Sequence, residues 1–224
     1  MKYILTAGWE DGVADLTERL VRELAAGRRV LWLTSGGSNT MPTVQIMANI
    51  PANLRSKLSV MPIDERYGET GHDESNWAQL LRAGFEGGEA ALLPVLEDGL
   101  SFEQTIDRYN QMAIQAFNDN EVIVAQLGVG GDGHVAGILP GSSAATETDD
   151  LAVGYRSDPL TRLTLTFAAL RRISAAYIFA FGNTKKEALK KLQTQSVPLD
   201  RQPAQVLKQL PEAYFYSDQF GDGQ

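Results

Sequence analysis

EVIVAQLGVGGDGHVAGILPG, residues 121–141, decides how the chain is read. It opens as a continuous apolar run, then breaks into Gly128, Gly130, Gly131 and Gly133 around Asp132 and His134. The run 121–127 is too short for a lone helix and rich in β-branched residues, so it reads as a buried strand. The glycines let the backbone bend through conformations that other residues avoid. A buried strand that ends in a glycine-rich turn is where an open α/β sheet places its chemistry. His134, one of only two histidines, is thereby expected with Asp132 at a strand's carboxyl end.

Upstream of this stretch, apolar runs predict strands at 1–7, 29–34, 58–63 and 91–93. Helical spacing predicts helices at 11–26, 42–48 and 76–82. A fourth runs from a capping box, Ser101 with Gln104, to about residue 117. Downstream, 142–150 is polar and acidic and reads as a surface loop. Strands follow at 151–155, 162–167 and 175–181, with a short helix between the last two. Thr184 with Glu187 predicts a capping box for a helix over 185–192. A short helix within 198–210 and a strand at 213–217 complete the pattern, and the tail 218–224 is expected to fray. Strands and helices alternate throughout. The expectation is one α/β domain over 1–217 with a mostly parallel sheet.

Composition bounds the chemistry. With 20 Lys and Arg against 28 Asp and Glu, the net charge of −8 argues against a nucleic-acid surface. The absence of cysteine removes disulfides, thiolate metal sites and cysteine nucleophiles, and fits a reducing compartment. No segment approaches the ~20 apolar residues that span a bilayer. The first residues read as a strand rather than a signal peptide. A cytoplasmic protein, monomeric or weakly homo-oligomeric, is expected, with no nucleic-acid or membrane partner.

Three motifs fall at predicted strand ends: Ser35-Gly36-Gly37-Ser38, Asp64-Glu65-Arg66 and the 128–134 loop. The first is strand, glycine-rich loop, helix, and its amides suit a phosphate. A tight turn that needs small residues explains it equally well, and no Gly-Lys-Ser/Thr follows to make a Walker loop. The second either begins a solvated loop or lines a cleft. His72 sits among Gly, Thr, Asp and Glu and reads as a loop histidine. Lys185 stands at a helix N-terminus, where a cation opposes the dipole, so a bound anion would account for it.

The ordered set LTSGGS, PIDER, SNWAQLL, LGVGGDGHVAGILPG, RLTLTF, FGNTKKEAL and PAQVL resembles the 6-phosphogluconolactonase family. That family sits within the sugar-phosphate isomerase/deaminase-like group, which includes glucosamine-6-phosphate deaminases. The resemblance spans about residues 30 to 217, and the block 130–134 is its most specific part. It implies a Rossmann-like, mostly parallel α/β sheet with helices on both faces, a phosphorylated sugar lactone as substrate, and no cofactor or metal. It makes His134 the base that activates water, with Asp132 beside it. It assigns the phosphate to the loop of Ser35, Gly36, Gly37 and Ser38 with Arg66, Arg162 and Lys185. Asp64, Gly130 and Gly131 are carried over as further substrate-contacting positions. Two departures are visible. The first loop runs on through Asn39-Thr40-Met41-Pro42 where the family has a shorter turn, and Gly131 stands where many relatives have a proline or a polar residue.

The residue types suit the chemistry. Opening a lactone requires water to attack an ester carbonyl, and an imidazole, with an ordinary pKa of about 6.5, can take water's proton near neutral pH. Backbone amides around residues 130–133 are expected to face the oxyanion. Deaminases of the group carry Phe-Asn-Glu-Pro after the histidine, with a glutamate that assists ring opening. Here the stretch is Gly137-Ile138-Leu139-Pro140, and leucine cannot shuttle a proton. Sensors on this fold normally add a DNA-binding helix-turn-helix, and none is expected in the about 30 residues before the first glycine loop of this acidic chain.

Overall fold

The computed structural model describes residues 1–146 and 148–220. In chain order the elements are β1 (Lys2–Leu5), α1 (Glu10–Ala25), β2 (Val30–Thr34), α2 (Thr40–Asn49), β3 (Leu58–Pro62), β4 (Asp64–Arg66), α3 (Asn76–Arg82) and β5 (Ala91–Leu92). Then come α4 (Phe102–Asp119), β6 (Val122–Leu127), β7 (Ala152–Ser157), β8 (Leu160–Leu165), α5 (Phe167–Leu170), β9 (Ala175–Phe179), α6 (Lys186–Thr194) and β10 (Glu212–Ser217). Seven strands form one parallel sheet in the order β1-β10-β9-β6-β2-β3-β5.

The central strands are buried along their whole length, as parallel strands covered on both faces must be. Their alternate residues sort to two layers. Val30, Trp32, Val122 and Val124 pack with Val13, Leu16 and Leu20 of α1 and Ile46 of α2. Leu31, Leu33, Ile123 and Ala125 face the other way, onto Tyr109 and Phe117 of α4 and Leu189 of α6. Burying each such Leu or Ile contributes roughly 1.5–3 kcal/mol, so the sheet centre is the most strongly held part of the molecule.

The chain leaves β2 toward β3 and β5, then returns at β6 to pair with β2 on its other side. The boundary between β2 and β6 is therefore the point where strand order reverses, and loops diverging there leave a crevice.

Several expectations need correction. Asp64-Glu65-Arg66 does not open a loop. It is β4, the edge of a three-stranded antiparallel sheet in the order β4-β8-β7. The Thr184–Glu187 capping box does not form, because Asn183–Lys185 coils into a 3-10 turn and Lys185 itself becomes the residue preceding α6. The stretch after residue 141 is not all surface, since Ala144 and Ala145 are buried. The start of the tail is docked: Asp218 accepts a hydrogen bond from Gly182 N (2.9 Å), and Phe220 packs edge-on against Tyr3. Residues 221–224 of the expected tail lie outside the described residues. The Ser101–Gln104 capping box is present on α4.

Candidate active site

One cleft opens at the carboxyl ends of β2, β6 and β9. Its walls include Ser35, Gly36, Gly37, Ser38, Asp64, Arg66, His134, Arg162 and Lys185, nine of the twelve site residues expected from sequence. Asn39, Asn76, Gly128, Val129, Ala136 and Phe179 complete it. Gly130, Gly131 and Asp132 do not line it. Gly131 and Asp132 face a separate hollow beside Lys191 and Arg201.

The loop after β6 is built around one pair of side chains. Asp132 Oδ1 lies 2.7 Å from His134 Nδ1 and also accepts His134 N at 3.1 Å. A carboxylate only accepts, so the ring proton sits on Nδ1 and the Nε2 lone pair is left free. This hydrogen bond, against the opposing effect of burial, holds the Asp132 carboxyl down at about 2. Gly130 must be glycine here: a Cβ would lie 2.1 Å from His134 Nδ1 and 2.4 Å from Asp132 Oδ1.

The same geometry commits two of the expected oxyanion amides to the loop itself, while Gly131 N makes no hydrogen bond among the described residues but belongs to a residue that does not line the cleft. Gly130 N donates to His134 O, Gly133 N to Gly130 O, and His134 N to Asp132. These groups hold the loop's shape and are not available to substrate. Three free amides belong to residues that line the cleft. Gly36 N, Gly37 N and Ser38 N make no hydrogen bond among the described residues. Gly36 lies against Asn76, where a Cβ would meet Asn76 Oδ1 at 2.1 Å.

Cations form the opposite wall. Arg66 on β4 and Arg162 on β8 are directly opposed across the antiparallel ladder. Like charges so placed repel and call for a counter-charge. Asp64 supplies part of it, with Oδ2 3.9 Å from Arg66 Nε. Its carboxyl is raised by burial, while Arg66, His134 and Arg162 pull in the opposite direction. The Nε atoms of both arginines are buried without a hydrogen-bond partner among the described residues. Lys185 adds a third cation at the start of α6.

Other residues went unnoticed in the sequence. Glu65, fully buried, accepts from Arg66 N, Asn76 N, Trp77 N and Ser75 Oγ, and so ties β4 to the start of α3. Gln126 interrupts the apolar β6 and reaches Asn39 and Thr43, which fixes the end of the first loop. A lone glutamine in a buried run was the available signal. His72 lies outside the cleft, its Nε2 donating to Arg66 O (2.9 Å). Leu139, where a deaminase would place its acid, packs against the core.

Comparison with known proteins bears on the family and the fold. The family model described as glucosamine-6-phosphate isomerases/6-phosphogluconolactonase matches residues 8–215. A 6-phosphogluconolactonase of Caulobacter vibrioides is 32% identical over 213 residues, covering 90% of this chain and 88% of that protein. Among solved structures, 6-phosphogluconolactonase from Trypanosoma brucei superposes with a TM-score of 0.78 at 18% identity, over 97% of this chain and 96% of the other. A monomeric glucosamine-6-phosphate deaminase superposes with a TM-score of 0.76 at 17% identity, over 98% of each chain. At those identities the two structures establish the fold alone, and they share it across two chemistries. The family match covers nearly the whole length with the cleft residues inside it, and the chain belongs to the glucosamine-6-phosphate isomerase/6-phosphogluconolactonase family.

Proposed function

We propose that this chain hydrolyses 6-phospho-D-glucono-1,5-lactone to 6-phosphogluconate, the second step of the oxidative pentose phosphate pathway. The observation that carries the reading is a pair of opposed arginines with unpaired buried Nε atoms, in the same cleft as the free Nε2 of an oriented histidine. The first demands an anion and the second offers a base. A phosphorylated ester satisfies both.

The steps follow from the groups present. The free amides of Gly36, Gly37 and Ser38, with Lys185, hold the phosphate. His134 Nε2 takes a proton from water as the water oxygen bonds to the lactone carbonyl carbon. Asp132 stabilises the imidazolium so formed. The guanidinium N–H groups of Arg66 and Arg162 complete the phosphate site, which supplies the anion that the opposed pair requires. On collapse the bond to the ring oxygen breaks, and that oxygen takes the proton back from His134. Asp64 keeps the two arginines from separating before substrate arrives. A cytoplasmic setting fits a chain without cysteine.

The test is turnover of 6-phosphogluconolactone against turnover of glucosamine-6-phosphate, with spontaneous lactone opening subtracted. Lactone hydrolysis is expected, falling by about 10²–10⁴ in His134→Ala while 6-phosphogluconate still binds. Ammonia release from glucosamine-6-phosphate, or near wild-type turnover in that variant, would overturn the assignment.

A further inference from the structure

The loop that carries His134 is fixed on one side by its own backbone and on the other by the small sheet. After the histidine the chain turns through residues 135–138, with Ile138 N donating to Val135 O (3.0 Å). Ala136 in this turn has φ of 52°, the one positive value at a non-glycine among the described residues. Such a conformation is disfavoured for an alanine by its Cβ and persists only where the surroundings impose it.

The imposing groups are two side chains that meet at Gly137. Thr164 Oγ1 accepts from Gly137 N at 3.0 Å. The hydroxyl proton is committed to Leu165 O, also at 3.0 Å, so a lone pair faces the glycine. Tyr155 OH donates to Gly137 O at 2.6 Å. Both side chains are buried, and Gly137 is closed in so tightly that a Cβ would meet Thr164 Cβ at 2.9 Å. Neither Thr164 nor Tyr155 lines the cleft.

Thr164 shares the face of β8 with Arg162, two residues away, and Tyr155 on β7 is the cross-strand partner of Arg162. One rigid ladder therefore carries the anion-binding arginines and grips the base-bearing loop. The geometry points to Thr164 and Tyr155 as positioning residues that set the distance from His134 to the arginine pair. The inference rests on the proposed roles of His134 and the arginines, and it adds a reason for the first threonine, the third residue of the alternating stretch RLTLT. Arg162 faces the ligand, Thr164 grips the loop, and Thr166 caps α5 by accepting from Ala169 N.

The test is Thr164→Val, which keeps the shape and removes the acceptor, alongside Thr164→Ser, which restores it, and Tyr155→Phe. In the valine variant kcat is expected to fall about 10–100-fold, the scale of a small misplacement of a catalytic group. Affinity for 6-phosphogluconate is expected to stay within about twofold, because Arg66, Arg162 and Lys185 do not move; the serine variant recovers turnover. With only two histidines, the His134 ring signals can be followed by NMR without any reaction. They are expected to shift in the valine and phenylalanine variants and to return in the serine variant. Unmoved ring signals, unchanged kcat, or kcat and affinity falling together without rescue by serine would each overturn the clamp. Shifted ring signals in a protein that does not open the lactone would leave the clamp standing and overturn the functional reading instead.

Discussion

An imidazole whose Nδ1 is held by a carboxylate has one productive direction, and Asp132 supplies that hold from two residues away. Asp132 Oδ1 also receives the backbone N–H of His134, so the oxygen position is fixed by a second donor. Asparagine at 132 should therefore keep an oxygen at this point and preserve the ring tautomer. Only the charge that stabilises the imidazolium is lost. Asp132→Asn is expected to lower kcat by about 10–100-fold, or about 1.4–2.7 kcal/mol, far less than the loss of a triad carboxylate that flips its histidine. Steady-state kinetics check this, and a loss as large as that of His134→Ala would mean that the tautomer is not held as described. The pH dependence follows from the same pair. Because the folded Asp132 carboxyl is depressed to about 2, its stabilising contribution is present above the ordinary carboxylate range and is lost as pH falls through that range toward 2. Asp132 therefore adds no titration to the acid limb of kcat/KM above about pH 4. The pairing itself was not legible in the sequence: spacing placed Asp132 beside His134, but its direction, away from the cleft, depends on how Gly130 lets the two side chains fold back over the loop.

At the level of elements, β4 is the piece that makes the cleft two-sided. Three residues carry no periodicity, and their partner strand lies about a hundred residues later, so neither length nor pattern could have revealed it. Elements whose signals are local and long were legible: the buried run of β6, the amphipathic α1, the capped α4. The Thr184–Glu187 signal misled because the chain coils one turn earlier than the helix, which moves the cap position to Lys185. What holds β4 in place is Glu65, whose two oxygens accept from four donors on β4 and α3. Glu65→Gln replaces one accepting oxygen with a donor and leaves two buried donors unmatched. At about 1–3 kcal/mol for each, stability is expected to fall by roughly 2–6 kcal/mol in denaturant unfolding. Affinity for 6-phosphogluconate should fall with it, since Arg66 follows Glu65 directly. A variant as stable as the parent would show that the four donors find other acceptors.

For the whole molecule, the governing contrast is between a body of net charge −8 and a cleft with three cations. Sequence order alone placed Arg66 just past one strand, Arg162 on another and Lys185 at a helix start; the β4–β8 pairing sets the two arginines side by side, and Lys185 meets them at the cleft. An anionic sugar phosphate is repelled by the body and attracted by the cleft. Salt with a Debye length of about 10 Å at 0.1 M weakens the distant repulsion first and the close attraction only at higher concentration. Affinity for 6-phosphogluconate should therefore weaken between about 0.1 and about 0.5 M salt, where the contact term dominates. Lys185 allows this term to be separated from folding. A cation at a helix N-terminus costs about 0.3–1 kcal/mol, so Lys185→Ala is expected to leave stability unchanged or slightly raised. The same change removes a charge-assisted contact to the phosphate and should weaken binding about 10–100-fold, with a shallower salt dependence than the parent. Calorimetry at two salt concentrations, with thermal unfolding of the same samples, measures both effects. Binding that survives with the parent's salt slope would remove Lys185 from the phosphate site, and lost stability would show that the lysine serves the fold and not the ligand.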